Sequence, residues 1–160
     1  MSRAFVKERD GDDAFEDLPD RPIGEDRNLV TPQGLAFIEA EVVRLRTVLA
    51  DAQERGQRGA IAEASRDLRY WSMRLSSAEL VPDQTDVTEV RFGHRVRIRR
   101  EDGREQVFRI VGVDEADPAR GLISYVSPLA EALIGSRVGE KIEAGQSDAE
   151  IVAIEPGSAG

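Results

Sequence analysis

The chain has 160 residues, 40% hydrophobic and 33% charged, with a net charge of −9 and no cysteine. The missing cysteine excludes disulfides, thiol catalysis and thiolate metal sites, and it fits a reducing cytoplasmic setting. The acidic balance argues against free duplex DNA as the main partner, because binding phosphates takes a surplus of Lys and Arg.

No apolar run approaches the roughly 18 residues of a membrane span. Met1 to Lys7 is too short and too polar for a signal peptide, so a soluble, cytoplasmic protein is expected. Residues 1–29 hold nine acids against five bases. They read as a short ordered start and then a disordered acidic leader, since Asp10, Asp12, Asp13, Glu16, Asp17 and Asp20 bury too little to offset ordering entropy. Thr31-Pro32 is helix punctuation, with Thr31 as N-cap and Pro32 at the first helical position.

Two apolar runs then keep a seven-residue beat. Leu35, Ile38, Val42, Leu45, Leu49 and Ala52 are spaced three and four apart, and Ile61, Ala64, Leu68, Trp71, Leu75 and Ala78 repeat the pattern. Each set forms one stripe of a helix that meshes with a partner stripe. Helix one is expected from Pro32 to about Gln53 and helix two from about Ala60 to Ala78. The short gap with Gly56 and Gly59 forces them antiparallel, as a coiled-coil hairpin of roughly 30 Å over residues 30–80.

Val81 to Val87 breaks the period and serves as the linker. Beyond it the period is two: Phe92, His94, Val96 and Ile98 alternate with Arg91, Arg95, Arg97 and Arg99, as in a half-buried strand. Glu101-Asp102-Gly103-Arg104 is a hairpin turn and Gln106 to Gly112 the return strand. A polar loop over 114–121 leads to a strand at Leu122–Val126. Ser127 then caps a short helix with Pro128 at its first position, Gly135 ends it, and strands at Lys141–Ala144 and Ala149–Glu155 follow. The fold class is α+β: a helical hairpin, then a mostly antiparallel sheet with one short helix over 88–156, and a tail at 157–160.

No serine–histidine pair, phosphate-binding glycine loop or spaced metal cluster is present. His94 has no second histidine and is read as a strand residue rather than a base or ligand. Arg91, Arg95, Arg97, Arg99, Arg100, Arg104 and Arg109 have few aromatic stacking partners (Phe92, Phe108, Tyr125) and no RNA-reading motif among them, which favours a solvated or docking face over a nucleic-acid patch. No catalytic residue, metal ligand or cofactor is assigned, and the chain reads as a monomer.

Several stretches together resemble one family. Val90-Arg91-Phe92-Gly93, Phe108-Arg109-Ile110-Val111-Gly112 with Asp114-Glu115-Ala116-Asp117, and Ser127-Pro128-Leu129-Ala130-Glu131-Ala132-Leu133-Ile134-Gly135 with Val138-Gly139-Glu140 are similar to the carboxy-terminal domain of bacterial Gre factors. Thr31-Pro32-Gln33-Gly34-Leu35 matches the start of their hairpin, and Met1 to Glu8 resembles the GreB-like branch. The resemblance implies an FKBP-like sheet domain that docks on the rim of the RNA polymerase secondary channel. Asp114, Glu115, Ser127, Pro128, Leu129, Ala130, Ala132 and Leu133 are its expected docking residues. It also implies a hairpin that enters the channel, where acids at the tip hold magnesium for RNA cleavage.

Here the tip reads Glu54, Arg55, Gly56, Gln57, Arg58, without the family's acidic cluster. The hairpin is also short by roughly two turns per arm, on the order of 10 Å of reach. Carboxylates suit Mg²⁺ as oxygen ligands, whereas arginines repel it. The expected function is therefore a polymerase-binding elongation regulator, without an active site of its own, that does not stimulate cleavage. It meets nucleic acid only within the transcription complex. Alternatives are a working cleavage factor using acids such as Glu54, an FKBP-like prolyl isomerase, and a coiled-coil adaptor.

Overall fold

The computed structural model describes residues 18–157. The resemblance of Met1 to Glu8, the leader acids before Leu18 and the last three residues lie outside that range. In chain order the elements are β1 (Leu29–Val30), α1 (Pro32–Glu54), α2 (Arg58–Ser77), β2 (Glu79–Leu80), β3 (Arg95–Arg100), β4 (Glu105–Val111), β5 (Leu122–Ser124), α3 (Pro128–Leu133), β6 (Lys141–Ala144) and β7 (Ser147–Glu155). Two compact units result. One comprises residues 38–76 with the segment up to Glu25, and the other residues 26–37 with 77 onward. The division falls inside α1 and at Ser77, not across the linker at 81–87. The reason is local: β1 and β2 pair in parallel at the hairpin's base, Leu29 with Glu79 and Val30 with Leu80, so both helix ends join the sheet unit.

In the hairpin unit the heptad positions are the covered ones. Ile38, Val42, Leu45 and Ala52 are buried on α1, and Ala64 and Trp71 on α2. Leu49, Ile61, Leu68 and Leu75 are half-buried. Leu45, at 3% exposure, contributes about 1.5–3 kcal/mol by leaving water. Arg74 joins this covered side, which the apolar period does not announce.

The leader from Leu18 on is held rather than free. Arg69 donates to Asp20 at 2.7 Å, Arg21 pairs with Asp67 at 3.5 Å, and the Arg21 guanidinium sits 3.9 Å from the centre of the Tyr70 ring. The ion pairs are exposed and worth under about 1 kcal/mol each. The cation–π contact adds about 0.5–1 kcal/mol.

The sheet unit holds five strands in the order β5-β4-β3-β7-β6. Three neighbours pair antiparallel, and β4 with β5 pair in parallel. Val96, Ile98, Ile110, Ile151 and Ile154 share one face, over which Ala130 and Leu133 of α3 close the core. The Asp102-Gly103 turn forms as expected, with Gly103 at φ +85°. The expected first strand is shorter at its start. Gly93 adopts φ +87°, and the His94 ring accepts the Arg91 amide at 3.0 Å, so residues 91–94 form a turn and β3 begins at Arg95. His94 is thus a buried turn residue, not a strand residue. Since Nδ1 accepts, the proton lies on Nε2 and is donated to the Gln84 carbonyl at 3.1 Å, a neutral tautomer that ties the linker to the turn.

Leu45→Ala should lower unfolding free energy by about 2–4 kcal/mol through lost burial and a residual cavity, measured by denaturant titration followed at the helix band in circular dichroism. Arg21→Ala should leave helix content unchanged and speed amide exchange over residues 18–25.

Candidate functional site

The hairpin turn is a Schellman motif. The Gln57 amide donates to the Ala52 carbonyl at 3.0 Å and the Gly56 amide to Gln53 at 3.2 Å, while Gly56 adopts φ +63°. That conformation is open to glycine at little cost. Glu54 ends α1, Arg55 and Gln57 flank Gly56, and Arg58 opens α2; all are exposed. The Asp51 carboxylate is paired with Arg55 at 3.3 Å. Among the described residues no group of three His, Cys, Asp or Glu side chains is placed to hold a metal ion. The turn therefore offers two guanidiniums and two scattered acids, a poor cradle for a hard dication.

The expected docking residues divide into three kinds. Ala130 and Leu133 are fully buried and belong to the core. Ser127 is the α3 cap, its hydroxyl accepting the Ala130 amide at 3.3 Å, with Pro128 exposed at the first position and Leu129 and Ala132 half-buried. Asp114 and Glu115 lie in a short 3₁₀ turn, Val113–Glu115. The Glu115 carboxylate accepts the Thr31 hydroxyl at 2.6 Å, while the Thr31 oxygen accepts the Gly34 amide at 2.9 Å. One hydroxyl thus caps α1 and binds the loop after β4. Gly34 makes room for this, because a Cβ there would stand 2.6 Å from the Glu115 oxygen.

Arg109 is the residue that sequence patterning placed wrongly. Its strand phase puts it opposite Phe108 and Ile110, on the face expected to be solvated, yet it is 8% exposed. Its guanidinium donates to Gln33 at 3.0 Å and to the Gly93 carbonyl at 3.3 Å, and it lies 3.9 Å from the Asp83 carboxylate. The helix start, the linker and the turn before β3 all converge on it. No local signal announces this, since Gln33 and Arg109 are 76 residues apart. The other arginines do not form one basic face either: Arg91 pairs with Asp86 and Glu89, Arg99 with Glu105, and Arg104 with Asp102.

Three exposed carboxyls have lowered pKa values. The Arg27 side chain holds Glu79 down, the Thr88 hydroxyl and amide lower Asp86, and the Arg104 amide and guanidinium lower Asp102.

The class these features define is a helical-hairpin protein whose second unit is a five-stranded mixed sheet closed by a capped helix. Residues 84–156 match the family described as "Transcription elongation factor, GreA/GreB, C-term". Transcription elongation factor GreB of Neisseria meningitidis serogroup B is 32% identical, over 82% of this chain and 95% of the relative. Transcription elongation factor GreA of Rhodospirillum rubrum is 36% identical, over 71% of this chain and 85% of the relative. The solved GreA/GreB factor from Nitrosomonas europaea aligns at 21% identity with a TM-score of 0.41, covering 79% of this chain and 98% of that one. The chain belongs to the GreA/GreB family of transcription elongation factors.

Thr31→Val should cost about 1–2 kcal/mol by removing the cap and leaving Glu115 without its donor. Gly34→Ala should destabilise the wild type, because the new methyl displaces the Glu115 carboxylate, yet be neutral or stabilising in a Glu115→Ala background. Paired urea titrations check both. The lowered carboxyls titrate below their unfolded values, so their stabilisation is present above the ordinary carboxylate range and lost as pH falls from about 4 through the folded values. A Glu79→Gln, Asp86→Asn, Asp102→Asn variant should lose less stability on acidification than the wild type.

Proposed function

We propose that this Gre-family chain binds RNA polymerase at its secondary channel and modulates elongation without stimulating RNA cleavage. The observation that carries the reading is the hairpin turn, in which Arg55 and Arg58 stand where a metal-recruiting factor needs clustered acids and Asp51 is engaged by Arg55. Magnesium activates a water for attack on RNA only when oxygen ligands hold it. A guanidinium a few ångströms away raises the cost of bringing a dication there. Docking on the channel rim would use the exposed part of the α3 region, Pro128 with Ser127 and Leu129, together with Asp114 of the loop after β4. Ala130 and Leu133 would support that surface from beneath. The factor would act as a monomer and meet RNA only inside the transcription complex. It would lack an active site of its own and bind no cofactor.

Reconstituted polymerase stalled in a backtracked complex tests this directly. The chain should bind, compete with a cleaving Gre factor and leave the RNA uncut. A photo-cross-linker at position 58 should react inside the channel, and Asp114→Arg with Pro128→Ala should weaken binding about tenfold, or 1.4 kcal/mol. Rapid cleavage dependent on the added chain, abolished by Glu54→Ala, would instead identify a working cleavage factor.

A further inference from the structure

In the hairpin unit the segment from Leu18 to Arg21 follows α2 toward the turn. Arg21 stands beside Asp67 and Tyr70, and Asp20 holds Arg69. Leu18 lines a depression of about 340 Å³ with Arg58, Ile61, Ala62, Ser65 and Arg69. Followed backwards from Arg21 to Leu18, the chain thus moves from residues 67–70 of α2 toward its first turn. Leu18, Ile61 and Ala62 make the depression partly apolar. Among the described residues its lining carries two guanidiniums and no carboxylate. The nearby acids are committed or stand apart: Asp67 is paired with Arg21 and Arg66, and Asp51 with Arg55, while Glu54 and Glu63 are not in the lining. The first turn of α2 has no acidic side chain of its own, so the partial positive charge of that helix end adds to the guanidiniums.

We propose that this groove is a docking surface for the chain's own Asp10–Asp17, whose carboxylates pair with Arg58 and cover one side of the hairpin turn. The segment directly precedes Leu18, and Asp10, Asp12, Asp13, Glu16 and Asp17 give it five acids and no base. Its length fits. Arg58 lies eleven residues before Arg69, about 16 Å at 1.5 Å per residue of helix. Five extended residues cover that distance at about 3.3 Å each. Five residues back from Asp20, which sits at Arg69, is Phe15, so Glu16 and Asp17 come within an arginine side chain's reach of Arg58. Exposed ion pairs are individually weak. A segment already anchored at Leu18, Asp20 and Arg21, however, is present at a high effective concentration. The contact lies within the chain and does not depend on polymerase binding. A polyanion approaching Arg58 must first displace this segment.

The test uses the full chain, isotope-labelled for NMR. Because the sequence has no cysteine, Gly11→Cys provides a single site for a nitroxide spin label. Amides of residues 56–62 should be broadened more strongly than those of residues 70–76. The difference should collapse at about 0.5 M salt, where charges are screened within roughly 4 Å. Arg58→Glu should abolish the broadening at the turn with the rest of the spectrum intact. Adding Glu16→Arg and Asp17→Arg to that variant should restore it. Broadening centred on residues 65–70 and absent toward the turn would overturn the proposal, as would broadening at the turn that Arg58→Glu leaves unchanged. Broadening passed from a spin-labelled copy to a separate isotope-labelled copy would assign the groove to a second chain and overturn it as well.

Discussion

One hydroxyl governs how this chain begins its first long helix. Thr31, at 1% exposure, both accepts from the Gly34 amide and donates to the Glu115 carboxylate, so the helix cap and the loop after β4 depend on the same oxygen. Its neighbours are equally committed. Pro32 occupies the first helical position, where its missing N–H is harmless. Gln33 reaches Arg109, and Gly34 leaves space for Glu115. Gly112 completes the arrangement, because a Cβ there would lie 2.2 Å from the Leu29 carbonyl oxygen. Two stretches that look like separate family signatures, Thr31 to Leu35 and Phe108 to Glu115, are the two sides of one packed junction within the sheet unit.

That junction changes what the signatures mean. Glu115 and Arg109 look like surface charges, yet each is held by a partner distant in sequence and serves the fold. Ala130 and Leu133 in the other dense signature are core residues, and Ser127 is a cap. What these motifs leave at the surface is narrower, chiefly Pro128 and the half-exposed Ser127, Leu129 and Asp114. A pattern shared with a family thus mixes residues that build a shape with residues that use it, and burial separates the two.

How far the sequence could be read follows from the range of the interactions. The helices, their caps, the Asp102-Gly103 turn and the strand phases depend on residues a few positions apart, and periodicity and punctuation locate them to within a few residues. The acid-poor hairpin turn was equally legible, being a property of five consecutive residues. The parallel β1–β2 pairing, the burial of Arg109 and the anchoring of Asp20 and Arg21 on α2 depend on partners about 50 to 76 residues away, and no local pattern encodes them. His94 misled for a different reason. Its alternation with arginines imitates a strand, but the neighbouring Gly93 turns the chain before the strand starts.

The Schellman closure between α1 and α2 has a consequence for how this end of the molecule can vary. Its geometry is secured by main-chain bonds from Gln57 and Gly56 and by one positive-φ glycine, to which Arg55 adds only an exposed ion pair with Asp51. The exposed positions 54, 55 and 57 can change sign or size while the main-chain bonds of the turn stay as they are. The chemistry presented at this turn can therefore be altered by a few substitutions that its backbone does not register, and kinship in overall architecture carries little information about it.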